Sequence, residues 1–167
     1  MLSVPKYGWE DPNTNFILTY ATTNFSLDEV EYELDNFKFI AVDWIKAAVY
    51  GLKNFFRPFT VRGGFYSGDS EEADVFCTVT ENFCYIICAD KRKILETHFV
   101  KMTMIDFCKA LHSDISKNTF EWAYFEYYGD EFDDDRYREL HFQTEKIIIS
   151  LLDKLDALIK ERENYFK

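Results

Sequence analysis

The chain has 167 residues, of which 47% are hydrophobic, and its 30 acidic and 19 basic residues give it a net charge of −11. The length favours a single globular domain over residues 1–167, and the hydrophobic content excludes a disordered chain. The negative charge disfavours direct binding to nucleic acid or to an anionic membrane, because both require Lys and Arg to neutralise phosphate groups.

The first third of the chain predicts a short strand followed by two helices. Residues 16–20 suit a strand. Ser26 followed by Glu29 matches a capping box and predicts a helix that starts at this point. The alternative is a strand, since apolar residues alternate there with acids, at Val30, Tyr32 and Leu34; we prefer the helix. Apolar residues at three- and four-residue steps predict the next helix over 37–56, which Pro58 ends.

The middle of the chain predicts an antiparallel meander over about residues 73–102. A flexible connection that contains several glycines comes first, at 62–69. Strands are then predicted at 75–80, 83–89 and 94–102, because β-branched and aromatic residues fill these segments and polar turns separate them.

The last third of the chain, from Thr103 onward, is predicted to be mainly helical. Thr103 can cap a helix that runs to about Ser116, and residues 118–128 fit either a strand or a helix. An apolar stripe opposite charged residues predicts a long C-terminal helix over about 140–159, with acids at its positive N-terminal end. The sequence therefore predicts an α+β fold, in which a small antiparallel sheet is packed with helices.

No residue pattern predicts catalysis, a metal ion or a cofactor. His98, His112 and His141 lie far apart in sequence. Cys84 and Cys88 are four residues apart on a strand, which separates them by about 13 Å, too far for ligands of one zinc ion. The acidic run at 130–135 lacks the ligand order of an EF-hand, and the alternative for this run is a weak site for a divalent cation. We therefore expect no catalytic residue, no metal and no cofactor; the alternative is a small enzyme whose carboxylate or Cys–His site is assembled only in the fold.

The N-terminus, the short apolar runs and the cysteines predict a cytoplasmic protein. The N-terminus has no apolar region behind a basic start, so no signal peptide is evident, and the longest apolar runs are too short for a membrane span. All four cysteines lie in apolar stretches, and we expect them to be reduced core thiols.

Residues 121–135 combine acidic and aromatic side chains at high density. Seven of these fifteen residues are acidic, six are aromatic and none is basic. Carboxylates at this density repel one another unless a basic surface lies opposite, and aromatic rings supply rigid contact area. The alternative is that half of the rings face the core, while the acids form a solvated loop and a helix cap. We prefer a surface that binds a basic protein, made of Glu121, Trp122, Tyr124, Glu126, Tyr127, Tyr128, Asp130, Glu131, Phe132, Asp133, Asp134 and Asp135.

In size, acidity, aromatic content and lack of a catalytic motif, the chain resembles the bacterial immunity proteins, including those of contact-dependent growth inhibition systems. The resemblance implies a cytoplasmic, antitoxin-like inhibitor that binds the C-terminal domain of a cognate toxin, often a nuclease, and occludes its active site. It assigns no individual residue. The alternative is a phage or mobile-element protein that mimics DNA, with carboxylates in place of phosphates and rings in place of bases.

Overall fold

The protein is described by a computed structural model over residues 6–7, 21–27, 30–35, 40–63, 74–89, 96–125 and 134–165. The strand predicted at 16–20 lies outside the described residues. The described elements are, in chain order, β1 (Lys6–Tyr7), β2 (Ala21–Leu27), β3 (Val30–Asp35), α1 (Ile40–Lys53), β4 (Phe59–Gly63), β5 (Asp74–Val79), β6 (Cys84–Ala89), β7 (Glu96–Val100), α2 (Met104–Ser116), α3 (Thr119–Phe125) and α4 (Asp134–Tyr165).

A four-stranded antiparallel sheet in the order β4-β5-β6-β7 follows α1. Its last three strands confirm the predicted meander, and together with the helices they confirm the α+β class. The sequence does not predict β4. The residues assigned to the start of a flexible connection instead belong to this strand, because Val61 pairs with Cys77 and Gly63 pairs with Val75 across the ladder.

A second sheet has three strands in the order β1-β2-β3. The helix predicted from Ser26 is wrong, because Ser26 lies in β2 and residues Val30–Asp35 form β3. The two strands are antiparallel, and Ser26 pairs with Glu31. The alternation of apolar and acidic residues along β3 matches the two-residue repeat of a strand. The ladder with β2 provides hydrogen-bond partners for backbone groups along β3, whereas a capping box satisfies only N–H groups at the start of a helix.

The helices pack against one another along α4. This helix is the long C-terminal helix that the sequence predicts, and it contacts α1, α2 and α3, while α1 also contacts β4. Thr103 caps α2 as predicted, since its hydroxyl oxygen accepts a hydrogen bond from the amide of Asp106 at 3.1 Å. The ambiguous segment at 118–128 contains the helix α3. Trp44, Phe107 and Trp122 are the largest side chains in the core.

The C-terminal end of α1 turns sharply and is held by α4. Phe55 and Phe56 have φ angles of 56° and 61°, in the left-handed region that non-glycine residues rarely adopt. Arg162 of α4 donates a hydrogen bond from Nε to the carbonyl oxygen of Leu52 at 2.8 Å, and its guanidinium carbon lies 5.1 Å from the centre of the Phe55 ring. A cation therefore neutralises the negative end of the α1 dipole.

Among the helices within the described ranges, none combines the length and the apolar character that crossing a bilayer requires.

Candidate functional site

The first turn of α3 is fixed to the N-terminal half of α4. The Thr119 hydroxyl donates a hydrogen bond to the Glu145 carboxylate at 2.8 Å. Nε2 of His141 lies 2.9 Å from the carbonyl oxygen of Phe120. Because a carbonyl oxygen can only accept, Nε2 must carry the proton and donate it. We call this region the α3–α4 corner and define it by Thr119, Phe120, Glu121, His141, Phe142, Glu145 and Lys146.

Two large aromatic rings of the corner face the solvent. Phe120 is 58% exposed and Phe142 is 56% exposed. The Phe120 ring lies against the imidazole of His141, with ring centres 4.2 Å apart. The ammonium group of Lys146 lies 4.0 Å from the centre of the Phe142 ring, within the range of a cation–π contact. Neighbouring side chains thus position both rings while leaving more than half of each accessible.

Trp122 does not belong to the exposed surface that the sequence predicts. Its side chain has 0% exposure and lies in the core. The reason is the helical geometry of α3: successive residues are about 100° apart, so side chains two positions apart point in nearly opposite directions. Phe120 consequently faces outward where Trp122 faces inward. For Trp122, the alternative given above, in which rings of residues 121–135 face the core, is therefore correct.

The remaining predicted contact residues are described only in part. Glu121 is partly exposed on α3, next to Phe120. Tyr124 lies in α3, and Asp134 and Asp135 form the start of α4, but their side chains lie outside the described part of the chain. The other predicted residues lie outside it altogether: Glu126, Tyr127, Tyr128, Asp130, Glu131, Phe132 and Asp133. The acidic segment at 121–135 nevertheless joins, along the chain, the two helices that carry the exposed rings.

Phe120 and Phe142 are not among the contact residues that the sequence predicts. Phe120 immediately precedes the segment that the sequence singles out, and Phe142 stands among polar residues of α4, next to the apolar stripe. A wheel drawn through the buried residues Ile148, Leu152 and Leu155 places Phe142 on the flank of the helix. The spacing on α4 therefore contains a signal for Phe142, whereas Phe120 becomes recognisable only once α3 is known to be helical.

The chain matches no family model, no curated protein and no solved structure. The roles of the corner residues are therefore inferred from the exposure, charge and contacts of this chain alone.

A second exposed aromatic surface lies on the outer face of the four-stranded sheet. Phe83, Tyr85 and Phe99 stand side by side there, and the rings of Tyr85 and Phe99 meet edge to face with centres 5.0 Å apart. Phe99 is 65% exposed. We call these three residues the sheet ladder. It resembles the corner in its exposed rings, but the acidic segment at 121–135 adjoins only the corner along the chain.

A cavity of about 340 Å³ lies between α2, the β5–β6 turn and the end of α4, where Glu81, Lys109 and Glu163 line it. The ammonium of Lys109 and the carboxylate of Glu163 are 2.5 Å apart, and this hydrogen bond raises the pKa of Lys109. The carboxylate of Asp106 accepts a hydrogen bond from the Thr103 hydroxyl. The described lining includes no histidine or cysteine. Within the described ranges, no group of three or more His, Cys, Asp or Glu is placed to hold a metal ion.

Proposed function

We propose that this chain is a non-enzymatic, cytoplasmic binding protein that neutralises a basic toxin domain, in the manner of an immunity protein. Its carboxylates orient the partner before contact, and its exposed rings then pack against the partner and occlude a cationic active site. The toxin domain is of the nuclease type, because an active site that binds phosphates is the positively charged surface that an acidic inhibitor fits.

The observation that carries the proposal is the position of two exposed rings at the corner. Phe120 and Phe142 are each more than half exposed, on the two helices that the acidic segment connects. Interfaces are enriched in aromatic residues, and a few such rings commonly supply most of the binding energy. Residues 121–167 also carry 13 acids and 7 bases, so −6 of the net charge of −11 lies in the part of the chain that contains α4.

The corner is also ordered before any partner binds. The hydrogen bonds from Thr119 and from His141 fix α3 on α4, and the Phe120 ring packs against the imidazole of His141. Binding to a surface of this kind loses little conformational entropy, which favours affinity. This arrangement suits an inhibitor that has to retain its target.

The test is co-purification of the tagged chain with untagged, catalytically inactivated candidate toxin domains, followed by association and dissociation rates for the domain that is retained. We expect Phe120→Ala and Phe142→Ala each to raise the dissociation constant at least tenfold, mainly through faster dissociation. The matched control is Phe99→Ala, which removes a ring of similar exposure from the sheet ladder. Equal losses for Phe99→Ala and for the corner variants would refute the assignment of the corner.

The electrostatic part has a test of its own. Replacing Asp130, Glu131, Asp133, Asp134 and Asp135 with Asn or Gln removes five negative charges. We expect association to slow about tenfold or more at low salt, and the difference from the unmodified chain to shrink as salt rises. Glu161→Gln, at the opposite end of α4, is the single-charge control. An association rate that does not depend on salt contradicts electrostatic orientation, and capture of several unrelated nucleases favours a DNA mimic.

A further inference from the structure

Two buried thiols face each other across the hairpin formed by β5 and β6. Cys77 lies opposite Ile86 and Cys84 lies opposite Val79, so the two cysteines occupy diagonal positions on the same face of the sheet. Their Sγ atoms are 2.7 Å apart. Both side chains are buried, at 1% and 0% exposure.

This contact differs from ordinary packing of reduced cysteines. The third cysteine whose side chain is described, Cys108, is also fully buried, on α2, and burial raises its pKa to about 12. In contrast, Sγ of Cys77 lies within hydrogen-bond distance of Sγ of Cys84. The fold therefore brings one specific pair of sulfur atoms close enough for a bond to form with only a small shift of either side chain.

We propose that Cys77 and Cys84 form an intrachain disulfide when the chain meets a low-molecular-weight disulfide such as oxidised glutathione. The thiolate of Cys84 attacks one sulfur of the reagent, which leaves a mixed disulfide on Cys84 and releases one reagent thiolate. The thiolate of Cys77 then attacks the Cys84 sulfur and displaces the second reagent thiolate. The two protein thiols lose two electrons to the reagent disulfide, and their two protons end on the two released thiols.

Cys84 is the thiol that the reagent reaches first. It directly follows the exposed turn residues Glu81, Asn82 and Phe83, whereas Cys77 lies further from the turn, within β5. The turn is closed mainly by Thr80, whose amide donates to the Phe83 carbonyl at 2.9 Å and whose hydroxyl oxygen accepts from the Phe83 amide at 3.1 Å. Exposing Cys84 requires opening these bonds and the bond from the Met104 amide to the Glu81 carbonyl. It also requires opening the ends of the ladders in which Cys84 pairs with Val79 and Val100, while the helices stay folded.

The disulfide would lock the hairpin that carries Phe83 and Tyr85 of the sheet ladder. Closing a loop of this size restricts the unfolded chain. For a chain of this length we expect the melting temperature of the oxidised form to lie roughly 5–10 °C above that of the reduced form. The proposal does not depend on the proposed function, and neither test bears on the outcome of the other.

The experiment uses the full chain, incubated with oxidised glutathione and then digested without reduction for peptide mapping by mass spectrometry. We expect one cross-linked species joining the peptides of Cys77 and Cys84, lighter by two hydrogen atoms than the two peptides together. Melting curves before and after addition of a reductant should show the shift. Cys108→Ala is the control; it removes a buried sulfur and lowers the melting temperature of both forms, but it should leave the cross-link and the difference between the two melting temperatures unchanged.

Three results would overturn the proposal: a cross-link that involves Cys88 or Cys108, four thiols that remain alkylatable after denaturation, or a mixed disulfide that stays on Cys84. Cys77→Ser and Cys84→Ser should each abolish the cross-link. Since either substitution places a hydroxyl in the core, the peptide map of the unmodified chain decides the question if these variants do not fold.

Discussion

Trp122 and Phe120 lie two residues apart on α3, and truncating each to alanine should have different consequences. Trp122→Ala should strongly lower the stability of the fold, whereas Phe120→Ala should lower it only slightly. Trp122 is completely buried, whereas Phe120 is 58% exposed. Trp122→Ala leaves a cavity in the core, and such truncations destabilise proteins by about 3–5 kcal/mol. This is a large part of the total stability of about 5–15 kcal/mol that is typical of a domain.

The expected loss for Phe120 follows from its exposure. Full burial of a Phe side chain contributes about 1.5–3 kcal/mol. Since 58% of Phe120 is exposed, less than half of that contribution is present in the free protein. We therefore expect Phe120→Ala to destabilise the fold by about 1 kcal/mol or less, while it weakens partner binding at least tenfold under the proposed function.

The assay is urea unfolding followed by far-ultraviolet circular dichroism, because tryptophan fluorescence changes when Trp122 itself is removed. With a urea dependence of about 2 kcal/mol per M, Trp122→Ala should lower the midpoint by roughly 1.5–2.5 M, and Phe120→Ala by roughly 0.5 M or less. The milder variant Trp122→Phe gives a measurable value if Trp122→Ala does not fold. If the two alanine variants lose equal stability, the inward and outward orientations assigned to these side chains are wrong.

Three further substitutions test the contacts that hold the helices together. A Cβ at Gly51 would lie 2.5 Å from Cδ1 of Phe59, so Gly51→Ala should cost about 1 kcal/mol in urea unfolding, although alanine favours a helix by a similar amount; a gain in stability contradicts this packing. Arg162→Lys keeps the charge but loses the Nε–H that bonds to the end of α1, and we expect a loss of about 1 kcal/mol by the same measurement; an unchanged midpoint would show that charge alone suffices. His141→Phe removes the hydrogen bond by which α4 holds the Phe120 carbonyl, so amide hydrogen exchange in α3 should accelerate about tenfold while α2 exchanges as before. Equal acceleration in both helices would show a global effect instead.

The sequence predicts the elements whose signals are local and agree with one another. α2 carries a cap residue at Thr103, and α4 carries an apolar stripe over several turns, so both helices are recognisable without knowledge of their neighbours. β3 differs because two local patterns compete. The capping pattern at Ser26 and the alternation from Val30 onward predict different structures, and only the pairing of β3 with β2 decides between them.

The candidate site is less predictable than the fold because it depends on which face of a short helix is buried. Composition identifies the neighbourhood of residues 121–135, but α3 has only seven residues. Over this length the same residues fit the two-residue repeat of a strand or the 3.6-residue repeat of a helix. In a strand, Phe120 and Trp122 would lie on the same face, whereas in a helix they lie on nearly opposite faces. The sequence alone therefore does not separate the exposed residue from the core residue.

Under the proposed function, the corner couples stability to binding through Trp122. Isolated helices of fewer than about 12 residues are marginal in water, so α3 depends on its contacts with α4. Trp122 anchors α3 in the core, and the same helix presents Phe120 to the solvent. A core residue therefore determines how rigidly the exposed ring of Phe120 is held. Loosening α3 by Trp122→Phe should raise the entropy lost on binding and weaken affinity even where the protein remains folded. The burial of Trp122 thus contradicts the contact role predicted from the sequence, and under the proposed function Trp122 instead positions Phe120.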